Sequence, residues 1–388
     1  MSRLGIDYRA VLETVRAAVR LDSQHVLLGV GSVVEGLGTS KSDLDLLLIS
    51  AAETDAPPEV EHAWTIGRRI VDLRVIRWTG VRELLCRLGQ WASSPWDTTR
   101  TAGFSYDERL LLHRLLHGWQ LFPLQQQASL PFRPPHAELA RLKLQAARHL
   151  ARTIQVDLVG YRDNADYPSV VFAAQELLGH AVDGLLAGHR VTNPTPKWRS
   201  RLLGTLAADW SRSIATRWAR LPADQLFWQL HRAPAEPDRE PVLAHATRCV
   251  SFARAVFAWA EPELATGAGF ETVPLTWGIA GSEPAGTSLL CADGPAQSLP
   301  ALELDVDFRI ADGRAGVGRL NEFGGTLALT PAELTALLLF DGETTTNEAA
   351  RAWAGGRLPV DPVDPVDLAR LIAVAEGAGL CRQPFRSR

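Results

Sequence analysis

The stretch His25 to Ser50, HVLLGVGSVVEGLGTSKSDLDLLLIS, decides how the rest of the chain is read. It divides into an apolar strand, His25 to Val30, a glycine-rich turn with a short helical segment, and a second strand, Asp43 to Ile49, that opens on two carboxylates flanking one leucine. Side chains in a strand alternate between faces, so Asp43 and Asp45 point to the same side. Two carboxylates held together must share cations or shift their pKa values. Mg²⁺ favours hard oxygen sites of this kind, completed by substrate phosphates. The Gly31-Ser32 turn lets the backbone approach a phosphate closely and leaves N–H groups free at a helix start, where anions are attracted. The stretch therefore reads as a phosphate cradle facing a metal site.

Gly31 and Ser32, a ten-residue gap and then Asp43-Leu44-Asp45 resemble the signature of the DNA-polymerase-β-like nucleotidyltransferases. The form Ser42-Asp43-Leu44-Asp45 is similar to the small antibiotic-modifying and minimal branch. The resemblance implies an α/β (α+β) core with a mixed sheet, a nucleoside triphosphate as co-substrate, two Mg²⁺ ions on Asp43 and Asp45, and a third carboxylate from a later strand of the same sheet. The segment Arg69 to Ile76, RIVDLRVI, offers Asp72 for that place. A charge in the middle of an apolar strand is costly unless something pairs with it, and a bound metal would do so. Arg74 falls on the same strand face as Asp72. It either neutralises that aspartate or holds an anionic substrate group bidentately. Gly31, Ser32 and Ser42 are the expected phosphate-side residues; Lys41 either meets a phosphate there or is a solvated loop lysine.

At 388 residues the chain has room for two or three domains. A hydrophobic fraction of 46% and a charged fraction of 22% belong to an ordinary globular protein. A formal net charge of -4 argues against a broad nucleic-acid surface and against polymer-directed RNA or tRNA nucleotidyl transfer, which needs a basic track. Only Lys41, Lys143 and Lys197 are lysines, a bias that reads as genomic base composition rather than function. Cys86, Cys249, Cys291 and Cys381 form no metal-binding spacing and read as reduced thiols of a cytoplasmic protein. The N-terminus lacks the apolar core of a signal peptide, and no run approaches the roughly 20 apolar residues that span a membrane.

In chain order, Tyr8 to Arg20 reads as a helix with Val11, Leu12, Val15 and Val19 on one face, suited to packing on a sheet. Ala51 to Pro58 is a polar turn, and Arg82 to Trp91 a further helix. The catalytic domain is expected to close near residue 100. Residues 101–260 read as helical almost throughout and form a bundle domain; residues 261–300 are a linker or irregular region, and 301–388 a third domain. Within the bundle, Tyr161-Arg162-Asp163 and the turn Asn193-Pro194-Thr195-Pro196-Lys197-Trp198 are similar to the helical domain of aminoglycoside-type nucleotidyltransferases and HEPN-like bundles. That resemblance implies polar residues closing over the nucleotide and acceptor. Lys197 either reaches a phosphate or caps a helix, and Tyr161, Arg162 and Asp163 are candidate cleft residues. His180 and Asp183, three residues apart on one helix, either face each other or simply pack. Tryptophans 198, 210, 218 and 228 read as core.

The last segment begins with the alternation Leu302, Leu304, Val306, Phe308, Ile310, a half-buried strand. Two short β stretches follow, then helices at Thr330 to Phe340, with Thr330 as N-cap and Pro331 first in the helix, at Thr345 to Ala354 and at Pro365 to Ala378, and a last strand. The order resembles winged-helix modules, including PqqD-like elements that bind leader peptides. The middle helix contains Glu348 and only Arg351 as a basic residue, which favours a peptide- or protein-contacting role over DNA, with a purely structural appendage as the other reading. The reading is a Mg²⁺-dependent nucleotidyltransferase that uses a nucleoside triphosphate and a small-molecule or peptide/protein acceptor. The acceptor's proton falls to Asp72, Asp163 or Asp183. The alternative is a non-catalytic nucleotide- or peptide-binding protein retaining the fold.

Overall fold

The computed structural model describes residues 8–19, 21–22, 24–51, 60–66, 69–93, 103–122, 132–207, 210, 221–265, 298–311, 314–320, 327–349 and 368–382. The chain divides into two compact units, Met1–Leu139 and Ala140–Arg388, so the division comes later than the expected boundary near residue 100.

The first unit is built on strands β1 (His25–Val30), β2 (Leu44–Ser50), β3 (Val60–Ile66), β4 (Arg69–Arg77) and β5 (Trp119–Phe122). They form one sheet in the order β3-β4-β2-β1-β5. The β2–β4 pair is parallel and the other pairs are antiparallel, as a mixed sheet requires. The central strand β2 is an almost unbroken apolar run because both of its faces are covered. Leu44, Leu46 and Leu48 pack with Val11, Leu12 and Val15 of helix α1 (Tyr8–Ala18). Leu47 and Ile49 pack on the other face with Val81 of helix α3 (Trp78–Ala92) and Leu115 of helix α4 (Tyr106–His117). The helical spacing read at Val11, Leu12 and Val15 is thus the spacing that buries one face of α1 on the sheet.

Helix α4 starts at a reciprocal capping box: the Ser105 hydroxyl accepts from Glu108 N–H at 3.1 Å, and the Glu108 carboxylate accepts from Ser105 N–H at 2.8 Å. The sequence reading had placed α4 and everything up to residue 260 in a helical bundle. Instead α4 packs on the sheet, and Trp119-Gln120-Leu121-Phe122 forms the edge strand β5 against β1. The proline- and glutamine-rich connector before residue 132 lies largely outside the described residues.

The second unit contains the long helices α5 (His136–Asp163, which begins just before the division), α6 (Tyr167–Gly188) and α9 (Arg239–Ala265), with the shorter α7 (Arg199–Leu203) and α8 (Ala223–His231). Two glycines let α6 and α9 approach closely. A Cβ at Gly184 would meet Phe257 at 2.6 Å, and one at Gly188 would meet Trp259 at 2.6 Å. Helix α6 is long and apolar enough to cross a membrane, an exception to the expectation that no run was, but 67% of its most apolar window is buried inside the protein, as in a core helix. Among the tryptophans expected in the core, Trp210 is buried, Trp198 is half-buried and Trp228 is 55% exposed; Trp218 lies outside the described residues. Residues 266–297 of the expected linker also lie outside them, and α9 runs into its start.

The remaining elements are β6 (Ala301–Leu302), β7 (Val306–Ala311), β8 (Arg314–Arg319), β9 (Leu327–Leu329), α10 (Pro331–Leu337), α11 (Leu368–Gly377) and β10 (Cys381–Arg382). The strands form a three-stranded sheet, β7-β8-β9, and a two-stranded pair, β10-β6. The continuous strand read over residues 302–310 is broken: Val306 N–H donates to the Glu303 carbonyl at 3.1 Å, a turn that separates β6 from β7. Leu304 is fully buried although it lies in that turn, and so mimics strand alternation. The Thr330 cap of α10 forms as expected, with Glu333 completing a capping box. Only the capped first turn of the middle helix is described, where the Thr345 hydroxyl accepts from Glu348 N–H at 3.2 Å, so the winged-helix order is not complete among the described residues.

Candidate functional site

Three of the expected carboxylates collect on one face of the first sheet. Asp45 of β2 and Asp72 of β4 are direct partners in the parallel register, and neighbouring strands lie about 4.8 Å apart. Their face is the one covered elsewhere by α3 and α4, since Leu47, Ile49 and Ile76 share it. Asp43 lies one residue before β2 and is exposed. Asp72 is exposed as well, and neither it nor Asp43 has an ion-pair or hydrogen-bond partner among the described residues. An exposed carboxylate in the middle of β4 resolves the cost expected for a buried one: β4 is covered at Val71 and Leu73 and open at Asp72.

The glycine turn meets this face end-on. Val30, the last residue of antiparallel β1, is paired with Asp45. Gly31 follows with φ +74°, in the left-handed region that favours glycine, and a Cβ there would collide with the Asp45 carboxylate. Glycine is therefore required twice at this position. Gly31–Val34 forms a four-residue helical turn, α2. The Ser32 carbonyl then accepts from Leu37 N–H at 2.8 Å and Gly38 N–H at 2.6 Å, closing the turn on itself. Ser42 is engaged locally: its hydroxyl accepts from Thr39 N–H at 2.8 Å, and its carbonyl accepts from Arg69 Nη1 at 2.9 Å. Lys41 is exposed in the same loop, and Arg74, two residues beyond Asp72 on β4, is half-buried.

Three residues that the sequence reading did not single out complete the surroundings. Arg114 of α4 reaches Asp45 Oδ1 at 3.3 Å. Its neighbour His113 is fully buried and lies 2.9 Å from Glu35 Oε2, in the glycine turn. Nothing in the local pattern of Tyr106 to His117 marks these two positions as different from other polar residues of an amphipathic helix. His117, 4.5 Å from His113 between ring centroids, has its pKa lowered, by the packing around its ring first and by His113 second, although part of the side chain is open to solvent.

The expected cleft residues of the helical region belong to the second unit and have their own partners. Asp183 accepts from Arg199 Nη2 at 2.7 Å and from Asn193 Nδ2 at 2.8 Å, so it ties the Asn193 turn and α7 to α6. It contributes to the field at His180, whose pKa is lowered by burial and partly restored by Asp183. Arg162 donates to Asp163 at 2.8 Å and lies 3.5 Å from Glu303. Lys197 stacks over Trp198 with its Nζ 5.1 Å from the ring centroid, and Tyr161 is 38% exposed.

The donor chemistry of Asp43, Asp45 and Asp72 fits a hard divalent cation, which takes one or two carboxylates and completes its shell with phosphates and water. Among the described residues, however, no three His, Cys, Asp or Glu side chains converge as a closed metal cage. The fit is to an open, substrate-completed site.

No protein-family model matches the chain, and no curated protein matches it. Among solved structures, a nucleotidyltransferase-like protein from Exiguobacterium sibiricum is similar over 66% of this chain and 74% of that one, at 13% identity and a TM-score of 0.32. So loose an overlap carries no weight of its own, and the functional reading stands on the residues above.

Proposed function

We propose that the first unit is the core of a nucleotidyltransferase, which moves a nucleoside monophosphate from a nucleoside triphosphate to a small-molecule or peptide/protein acceptor and releases pyrophosphate. The observation that carries this reading is the in-register pair Asp45 and Asp72 with Asp43 at the strand mouth, all beside a glycine whose missing Cβ leaves room over a carboxylate. Asp43, Asp45 and Asp72 would hold Mg²⁺, which supplies charge neutralisation at the attacking and leaving oxygens of an in-line displacement.

The chain's own groups do the rest. The Gly31–Ser32 turn and Lys41 receive the phosphates, and the acceptor oxygen attacks the α-phosphorus as the bond to pyrophosphate breaks. The acceptor's proton goes to Asp72, because Asp183 and Asp163, the other candidates, are engaged by Arg199 and Arg162. Arg74, on the Asp72 face, orients an anionic group of the acceptor.

One observation favours a second reading, a non-catalytic nucleotide-binding protein: Asp45 is paired with a cation of the protein itself, Arg114. A single experiment separates the two. The protein is incubated with each of the four nucleoside triphosphates and Mg²⁺, with binding and pyrophosphate release followed for wild type, Asp43→Asn, Asp45→Asn and Asp72→Asn. Nucleotidyl transfer predicts pyrophosphate release that falls by about two orders of magnitude or more in Asp45→Asn. Binding without release in the wild type supports the second reading, and release indifferent to all three substitutions sinks the first.

A further inference from the structure

Arg114 is poorly served by the contacts it makes. Its Nη2 to Asp45 Oδ1 distance of 3.3 Å is long for a charge-assisted hydrogen bond. Its Nε is buried and has no hydrogen-bond partner among the described residues. A guanidinium offers its donors in a rigid fork suited to two oxygens at once, and a half-buried one left with an idle donor is costly unless a further acceptor arrives. The position of that donor set is well anchored. The preceding residue, His113, is fully buried and holds Glu35 of the Gly31–Gly38 turn at 2.9 Å, so α4 is tied to the turn that faces Asp45. Glu35 keeps its other oxygen, Oε1, buried and without a hydrogen-bond partner among the described residues.

We infer that Arg114 is a two-position cation, which rests on Asp45 in the free protein and moves to the terminal phosphate oxygens of a bound nucleoside triphosphate. This deepens, and rests on, the nucleotidyltransferase reading. Its logic is charge exchange at one carboxylate. A divalent cation and a guanidinium cannot both be closest to Asp45 without repelling each other, so arrival of a metal-bound polyphosphate releases Arg114 and at the same moment supplies the oxygens it lacks. The free-protein contact would keep the site from accumulating bare cations, and so makes metal binding depend on nucleotide.

The exchange has a signature that loss of a merely structural arginine would not produce: opposite effects on metal and on phosphate. The full-length protein, Arg114→Gln and Arg114→Lys are compared for affinity to Mn²⁺ alone, by electron paramagnetic resonance, and to inorganic triphosphate without metal, by calorimetry, with thermal melting to confirm folding. Arg114→Gln is expected to bind Mn²⁺ about threefold more tightly and triphosphate about tenfold more weakly, and Arg114→Lys to recover part of the triphosphate affinity. Both affinities changing in the same direction, or neither changing, overturns the inference. Nucleotide binding by the wild type that Arg114→Gln leaves intact overturns this inference alone. Failure of the wild type to bind any of the four nucleoside triphosphates overturns the nucleotidyltransferase reading and the phosphate position with it, while a tighter Mn²⁺ site in Arg114→Gln would still uphold the resting contact on Asp45.

Discussion

Two charged clusters in this protein are built on opposite principles. On the first sheet, Asp43 and Asp72 are exposed and without partners among the described residues, and Asp45 has a long contact to Arg114. In the second unit, Asp307 of β7 is 3% exposed and is held by Arg148 at 2.8 Å and Arg152 at 3.1 Å, while Arg148 also reaches Glu261 of α9 at 2.9 Å. Gln155 donates to the Leu304 carbonyl at 2.6 Å, and Arg254 donates to the carbonyls of Val306 and Glu303. Burial pulls the Arg148 pKa down, but Asp307 and Glu261 outweigh it and leave it above the ordinary value. Burial takes Arg254 down to about 10 against the pull of Asp307 and Asp305. Buried charges are tolerated when the protein pairs them with opposite charge, as it does here, although Asp307 Oδ2 and Arg254 Nη1 have no hydrogen-bond partner among the described residues. This second cluster therefore staples the β7 segment to α5 and α9, whereas like charges left at an open strand end await a partner from solution.

That contrast breaks if the second cluster can be opened without loss. Arg148→Met leaves Asp307 and Glu261 buried with less compensation and is expected to cost about 3–5 kcal/mol in denaturant unfolding. Asp72→Asn, at the open site, should change stability by no more than about 0.5 kcal/mol, and the proposed nucleotidyl transfer predicts that it abolishes pyrophosphate release. Equal stability losses in the two variants would erase the distinction.

A smaller effect sharpens the open site. Gly31→Ala places a side chain in the left-handed region and against Asp45, and is expected to lower stability by about 1–2 kcal/mol, read as a lower melting temperature. Nucleotide binding should fall further than this strain alone accounts for, because the turn must shift away from the carboxylate. Gly36→Ala is the control: its φ is also positive, +75°, but a Cβ there meets nothing within 4 Å.

The smallest effect tests the closed region with protons. His245 of α9 is 1% exposed, and burial, with Arg248 second, takes its pKa from 6.5 to about 4. Between these values the unfolded chain binds a proton that the folded chain refuses, so this group's contribution is intact above about pH 6.5 and is lost as pH falls toward 4. Melting temperatures measured from pH 7 to pH 5 should drop less steeply in His245→Gln than in wild type. Parallel curves would mean that His245 carries no such linkage.

Much of the first sheet was legible in the residues. The strand His25 to Val30 matches β1 residue for residue, and Arg69 to Ile76 matches β4 to within one residue. Both are bounded by turn residues and rich in β-branched or leucine side chains, so local pattern and burial agree. The strand β5 was not legible, because four residues with no alternation to speak of become a strand only by pairing with the open edge of β1. Trp228 misled in the other direction. A tryptophan on a helix carries enough apolar area to suggest the core, yet it is α8's other face, Ala223, Leu226 and Leu230, that is buried. Lys197, in the Asn193–Trp198 turn, and Asp183, on the helix beside His180, are candidate site residues by sequence, but Trp198 and Arg199 take them up.

By itself the sequence determined the strands of the site, the order of glycine turn and carboxylates, and the shared face of Asp45 and Asp72 once their strands are neighbours. These follow from the two-residue period of a strand and from the conformational demands of Gly31, both local. Only the tertiary structure decided that β2 and β4 lie side by side with Asp45 opposite Asp72, that α4 brings Arg114 and His113 to that end of the sheet, and that Asp307 of β7 is answered by Arg148 and Arg152 of α5, far earlier in the chain, while Arg254 of α9 serves the Val306 carbonyl. The reason is that pairing between distant segments is chosen by the total burial and charge balance of the folded chain, which no single stretch contains.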